Sequence, residues 1–159
     1  MRKIMRAMTV AAALAVMVTP GSVGASSVER ATGSGHIADG PRRTFAFTAV
    51  RRPDGTVSGQ AQLFARGFPA RVHMRVTCLR IEGDIAYVSG FNTNADPIVF
   101  QDIWAIFAVQ DTGEGAGSPP DRVTGFHMAQ VQGPTACLTE SPSDFMEIDQ
   151  GNVQVGTVT

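Results

Sequence analysis

Three carboxylates in and beside one glycine-rich stretch could hold a metal ion. Asp111, Glu114 and Asp121 stand in or next to Thr112–Pro120, which reads Thr-Gly-Glu-Gly-Ala-Gly-Ser-Pro-Pro. Calcium takes oxygen ligands from flexible loops, although this spacing is not that of an EF-hand. The stretch predicts either a calcium site or an exposed turn in which Asp111 and Asp121 cap strand ends. No other cofactor is expected.

Two histidines are the candidates for acid–base chemistry. His73 and His127 both lie in segments with the alternation of a β-strand, and either ring could act as a general base beside a carboxylate. His73 alternates with arginine and threonine, so its side of the strand faces water or a groove. His127 shares a side with Val123 and Ala129, which favours a hydrogen-bonded histidine in the core. Nothing in the sequence places the two rings together.

Arginines next to His73 form a candidate anion site. Arg71, His73 and Arg75 occupy alternate positions, so they share one face of a strand. Arginine forks bind carboxylates and sulfates, and this face could therefore take an anionic ligand. The alternative is a solvated face whose arginines, Arg80 among them, pair with acids such as Glu82.

The first 25 residues have the features of an export signal. A basic start is followed by the apolar stretch Ala7–Val18, which is too short for a good membrane span, and then by small residues at 23–25. We expect residues 1–25 to be a signal peptide cleaved after Ala25. Residues 26–159 then form one secreted domain, extracellular or periplasmic, with no membrane span in the mature chain.

Charge and motifs disfavour several functional classes. Without the signal, ten arginines face 14 acids, so the net charge is about −4 and nucleic acid is not the expected partner. The chain has no Gly-x-Ser-x-Gly elbow and no His-Glu-x-x-His motif. These absences make a catalytic function less expected than binding.

The cysteines are expected to be bonded to each other. Cys78 and Cys137 are the only two in the chain, and export would place them in an oxidising compartment. Two cysteines this far apart do not make a zinc site. We therefore predict a Cys78–Cys137 disulfide and no free thiol.

A hairpin from Val72 to Phe91 is the element that must position most of these groups. Its two apolar runs meet at Glu82-Gly83-Asp84, where glycine supplies the positive φ of a tight turn. The members expected on its buried face are Val72, Met74, Val76 and Cys78. After Cys78 the apolar positions shift to Leu79 and Ile81, which predicts a bulge or an inter-sheet crossing there.

The remaining segments predict an all-β fold. The other expected strands are Ala31–Ile37, Arg43–Arg51, Val57–Phe64, Asp102–Asp111, Arg122–Gln130 and Gly151–Val158, and Ser141–Asp144 is expected to be a capped helical turn. Asp102–Asp111 is apolar on both faces, as in a strand covered on both sides. We expect a single antiparallel domain of seven or eight strands, a meander barrel rather than a two-sheet sandwich.

Several short motifs resemble those of a group of small, uncharacterised, secreted bacterial all-β domains. They are Val-x-Cys-Leu-x-Ile-x-Gly in 76–83, Ala-x-Val-Ser-Gly in 86–90, Asp-x-Gly-Glu-Gly in 111–115, Pro-Asp at 120–121 and Gly-Asn-Val at 151–153. The resemblance implies an exported all-β domain and carries no established activity.

Together these observations predict a secreted, non-catalytic β-domain that acts as a binding or structural module outside the cytoplasm. Its partner would be an extracellular ligand or protein whose identity the residues do not reveal. The alternative is a small exported enzyme, a hydrolase or cyclase, with a site inside a β-barrel that uses His73 or His127.

Overall fold

The computed structural model describes residues 27–37, 42–66, 70–115 and 117–158. The predicted signal peptide, residues 1–25, and its cleavage site after Ala25 lie outside the described residues. Within them the chain is almost entirely β, with two 3-10 turns at Ile98–Phe100 and Ala136–Leu138. The strands are β1 Val28–Ile37, β2 Arg43–Arg51, β3 Val57–Ala65, β4 Ala70–Glu82, β5 Ile85–Asp96, β6 Trp104–Gln110, β7 Arg122–Val123, β8 His127–Met128 and β9 Met146–Val158. In this part of the chain no helix is long and apolar enough to cross a membrane.

The strands close into a meander barrel. β1 to β6 pair antiparallel in chain order, and β9 pairs with both β1 and β7. Because β7 also pairs with β6, eight of the described strands form a closed barrel, and β8 is attached to β6 as an additional short strand. The predicted all-β, single antiparallel domain is confirmed, and the barrel is the correct choice over the sandwich.

The interior of the barrel is filled by apolar side chains. Each of the eight barrel strands contributes buried residues to one continuous cluster. At its centre Phe107 is fully buried, with the Phe47 ring edge-on at 5.3 Å and the Phe126 ring stacked at 4.3 Å between centroids. Burial of this kind is the main stabilising term of the fold.

The central hairpin is confirmed, with a difference in which way Cys78 points. β4 and β5 meet at Gly83, which has φ of 62°. Val76 pairs with Gly90 but Cys78 pairs with Ser89, so the extra residue Thr77 forms a bulge. The bulge lies before Cys78, not after it, and turns its side chain out of the barrel.

Gly90 permits this close approach of the two strands. A Cβ atom there would lie 2.1 Å from the carbonyl oxygen of Arg75, a distance that no side chain tolerates. Because the bulge turns its side chain outward, Cys78 belongs to a second buried cluster on the outer side of β4–β6. The other members are Tyr87, Ile106, Ala108, Ala129, Ala136 and Cys137. β6 contributes to both clusters, as its two apolar faces predict.

The expected strand Arg122–Gln130 is wrong. Only β7 and β8 pair there, two residues each, because the residues between them leave the ladder. The hydroxyl of Thr124 accepts a hydrogen bond from the Ala108 amide at 2.9 Å, and Phe126 turns inward to stack on Phe107. The Thr124 amide also donates to the Ala108 carbonyl at 2.9 Å, and beyond it regular pairing stops until β8.

The helical turn expected at Ser141–Asp144 is also wrong, since this segment has no helical or strand structure. Its polar side chains, which could have capped a helix, have other partners. Ser141 accepts a hydrogen bond from Arg80 at 2.8 Å, and Asp144 pairs with His127. The helical turn of this region lies earlier, at Ala136–Leu138.

Candidate functional site

The candidate ligand-binding residues lie together on the outside of β4. Burial alternates along the strand, so Val72 and Met74 point into the barrel while Arg71, His73 and Arg75 are exposed. We call these three residues the basic row. Side chains two positions apart on one strand face are about 7 Å apart along the strand, so the row spans about 14 Å.

Neutral hydrogen-bonding side chains flank the basic row. On β3, Gln60 is opposite Arg75 and Gln62 is opposite His73. On the other side of β4, Asn94 is opposite His73. Three shallow grooves, with volumes of about 260, 420 and 380 Å³, all include His73 in their lining. His73 therefore occupies the centre of this polar face.

Acidic side chains are scarce around the basic row. β2 and β3 contain none, and in β4 and β5 only the last residues, Glu82 and Asp96, are acidic. Asp96 stands opposite Arg71, at the end of the row. The side chains of His73 and Arg75 make no hydrogen bond or ion pair with the described residues, and the Arg71 guanidinium lies 5.6 Å from the Phe64 ring centroid. The face thus presents donors that the described part of the protein leaves available.

Arg80 has a different role, as a connector between β4 and the segment that follows the second 3-10 turn. Its guanidinium donates to two backbone carbonyls and one hydroxyl, pairs with a carboxylate and stacks on an aromatic ring. The partners are the Cys137 carbonyl at 2.6 Å, the Glu140 carbonyl at 3.1 Å, the Ser141 hydroxyl at 2.8 Å, Glu82, and the Tyr87 ring at 4.0 Å. The predicted pairing with Glu82 is present, but the carbonyl contacts were not foreseen.

Replacing Arg80 by methionine is expected to lower the free energy of unfolding by about 2 kcal/mol, because two carbonyls lose a charged donor. Urea denaturation measures the change. The matched control is Arg75→Met on the same strand, which removes an exposed arginine without such contacts and should change stability by less than about 0.5 kcal/mol. Equal effects of the two substitutions would contradict this role.

Asp121, which follows the glycine-rich stretch Thr112–Pro120, stabilises β9 by accepting a hydrogen bond from its backbone. It is 8% exposed, and one carboxylate oxygen accepts from the Thr112 amide at 2.9 Å. The other accepts from the Val153 amide at 2.7 Å. Since β7 pairs only with the start of β9, the amides further along this edge need another acceptor, which the loop supplies.

The two other loop carboxylates have similar partners. Asp111 accepts from the Val155 amide and from the Gly113 amide, both at 3.0 Å. Glu114 accepts from the Asn152 side chain at 2.8 Å. In the described part of the chain no group of three or more His, Cys, Asp or Glu side chains is placed to hold a metal ion. The geometry corresponds to the strand-capping alternative, and the predicted calcium ligands Asp111, Glu114 and Asp121 are not brought together.

His127 lies in an open groove on the outside of the barrel. Its Nε2 is 2.8 Å from Asp144 Oδ1, and the two side chains are 43% and 55% exposed. The groove has a volume of about 450 Å³, and its lining also includes Met128 and Ser141. The expectation of a core histidine is wrong, because β8 is attached outside the barrel.

The two histidines belong to separate sites. His73 is on the outer face of β4, and His127 is in the groove beside β8. Neither faces the filled interior of the barrel. A catalytic site inside the barrel that uses either ring is therefore not the arrangement found.

The predicted disulfide is confirmed. Cys78 and Cys137 are bonded, with Cα atoms 5.9 Å apart. The Cys137 amide donates to the Ser89 hydroxyl at 3.1 Å, which places the second 3-10 turn against β5. The bond and the Arg80 contacts hold the same segment onto the outside of β4.

Comparison of the chain with protein-family models, with curated proteins and with solved structures gives no match. The resemblance to secreted bacterial β-domains therefore stays a prediction from the motifs. The function is therefore inferred from the two sites on the outside of the barrel, the basic row and the groove that contains His127.

Proposed function

We propose that this protein is an exported, non-catalytic β-barrel domain that binds a ligand outside the cytoplasm through the outer face of β4. The observation that carries the proposal is the exposed basic row, Arg71, His73 and Arg75, on the outside of a barrel whose interior is filled. Among the described residues, the side chains of His73 and Arg75 make no hydrogen bond or ion pair. The ligand is one that presents carboxylate or sulfate groups. Arginine forks recognise such groups with paired, charge-assisted hydrogen bonds.

The filled interior supports binding over catalysis. Small-molecule reactions in proteins usually take place in concave, largely enclosed pockets, where water is excluded from the reacting groups. Here apolar side chains from all eight barrel strands occupy that space. The basic row lies on an open face, and the carboxylate beside it in the described strands, Asp96, stands opposite Arg71 and not opposite His73.

The Cys78–Cys137 bond supports an exported location, because such bonds persist in oxidising compartments. The N-terminal pattern supports it independently. We expect the exported protein to begin at Ser26, after cleavage behind Ala25. Intact-mass measurement of protein recovered outside the cytoplasm tests this, and a mature form that still carries the apolar stretch Ala7–Val18 would contradict it.

A binding screen with matched variants tests the proposed function. The oxidised protein is presented with sulfated and carboxylated glycans, acidic peptides and anionic lipid vesicles. The test variant replaces Arg71, His73 and Arg75 by serine, and the control variant replaces Arg52, Arg66 and His127, which are the same residue types at exposed positions elsewhere. Binding to an anionic ligand should be lost in the test variant and kept in the control. Binding that survives the test variant, or no binding to any member, would overturn the proposal.

A second candidate function is a small exported hydrolase or cyclase that uses His127. The specific observation is the 2.8 Å contact with Asp144, because a carboxylate that orients an imidazole is a common part of general base catalysis. The exposure of both groups favours the binding function over this one. Turnover of an ester or glycoside that Asp144→Asn abolishes, with its stability unchanged, would support the enzyme. Turnover that is equal in the variant would remove it.

A further inference from the structure

We infer that the ligand of the outer face is an acidic polysaccharide, a chain whose sugar units carry carboxylate or sulfate groups and which lies across β4, β3 and β2. This inference rests on the proposed function and names its ligand class. It depends on three features of the face: the spacing of the basic row, the neutral side chains around it, and a hollow above Ala46.

The basic row is extended and not convergent. Arg71, His73 and Arg75 stand at successive outward positions of one strand, so their side chains are spread over about 14 Å. A single small anion would be held by groups that point to one place. A row of this length fits a ligand that repeats its negative charge along a chain.

The side chains beside the row fit a ligand rich in hydroxyl groups. Gln60 and Gln62 stand opposite Arg75 and His73, and Thr48 stands opposite Gln60 on the next strand. Amides and hydroxyls both donate and accept, so they can pair with sugar hydroxyls in either direction. Asn94 extends this set beyond His73 on β5.

A hollow leads from the basic row across the strands. Ala46 on β2 stands opposite Gln62 on β3, and its small side chain leaves a depression between larger neighbours. Two of the grooves, of about 260 and 420 Å³, share Ala46, Gln62 and His73 in their lining. A flexible polymer held by the row can place sugar units in this depression.

The same face is poorly suited to a protein or a membrane. Protein interfaces usually have an apolar, aromatic-rich centre, whereas here the centre is His73 with glutamines around it. The aromatic rings beside the row lie at its ends and have partners, Phe64 at Arg71 and Phe91 at Trp104. Electrostatic binding to anionic membranes typically uses clusters of about four to eight Lys or Arg residues, and the row contains two arginines. A hydroxyl-rich polyanion fits both the charge and the polarity.

The test is titration calorimetry of the oxidised protein with oligogalacturonate and with dextran sulfate. Neutral dextran, poly-L-glutamate and phosphatidylglycerol vesicles are the comparison ligands. We expect at least one of the two acidic saccharides to bind more than tenfold tighter than poly-L-glutamate, and binding to weaken as salt is raised. Arg75→Gln should weaken binding about tenfold through the loss of a charge-assisted hydrogen bond, while Arg52→Gln, an equal loss of charge elsewhere, should stay within about twofold.

A steric variant separates sugar recognition from simple charge attraction. Ala46→Phe should fill the hollow and weaken saccharide binding about tenfold, although it leaves every charge in place. The control is Val50→Phe, at an outward position further along the same strand. Both replacements suit a strand, so both variants should fold.

The outcomes distinguish the polysaccharide inference from the proposed function on which it rests. If poly-L-glutamate or vesicles bind as tightly as the saccharides and Ala46→Phe has no effect, the polysaccharide inference is overturned, while binding through the basic row stands as long as Arg75→Gln weakens it. If no anionic ligand binds, or if binding ignores Arg75→Gln, the inference and the proposed function both fail.

Discussion

Replacing Cys78 and Cys137 together by serine is expected to lower the free energy of unfolding by about 2–4 kcal/mol. The bond links positions 59 residues apart in the chain, so it removes many conformations from the unfolded state. It also fastens the turn Ala136–Leu138 to the outside of β4. The disulfide lies outside the hydrogen-bonded ladder of the barrel, so the variant should keep its β-sheet content and the basic row in the other half of β4.

Chemical denaturation with and without a reducing agent provides the measurement. The native protein should lose stability on reduction, and the double serine variant should be insensitive to it. Two reactive thiols in the native exported protein would contradict the disulfide. So would a double serine variant as stable as the oxidised native protein.

Asp121→Ala is expected to lower the free energy of unfolding by about 3 kcal/mol, since a buried carboxylate that accepts from two backbone amides is removed. The amide of Val153, a fully buried residue, would be left without an acceptor in the barrel wall. Asp121→Asn should cost less, because its amide oxygen still accepts one of these bonds. Hydrogen exchange of the Val153 and Thr112 amides should become faster in the alanine variant.

Glu114→Ala is the control for this carboxylate. Glu114 is in the same loop but is exposed and bonds only to the Asn152 side chain, so its loss should change stability by less than about 0.5 kcal/mol. Equal destabilisation by the two alanine substitutions would contradict the role of Asp121 as an acceptor for the Thr112 and Val153 amides. It would point to a general effect of loop charge.

The parts of the fold that follow from the alternation of apolar and polar residues along a strand could be predicted from the sequence. Alternation in Arg43–Arg51 gave that strand its observed bounds, and the apolar residues on both sides of Asp102–Asp111 correctly indicated a strand covered on both faces. Gly83 marked the central turn. The outward position of Arg71, His73 and Arg75 followed from the same alternation, while their role in binding stays a prediction.

The features that depend on contacts between distant residues could not be predicted in this way. The bulge at Thr77 arises because Val76 pairs with Gly90 while Cys78 pairs with Ser89, and it reverses the direction expected for the Cys78 side chain. The segment after β7 alternates like a strand, yet stacking of Phe126 on Phe107 removes it from the ladder. The His127–Asp144 pair joins residues that each looked structural, one as a core histidine and the other as part of a helical turn.

The measurement that tests the central claim most directly is a chemical-shift map of the isotope-labelled, oxidised protein titrated with a sulfated or uronate oligosaccharide. We predict that the shifts concentrate at Ala46, Gln60, Gln62, His73 and Arg75 on the outer face of β2–β4. The resonances of Phe107 and Val109 in the filled interior should stay unchanged. Shifts that concentrate at His127 and Asp144, or in the barrel interior, would contradict a binding module that works through the outer face of β4.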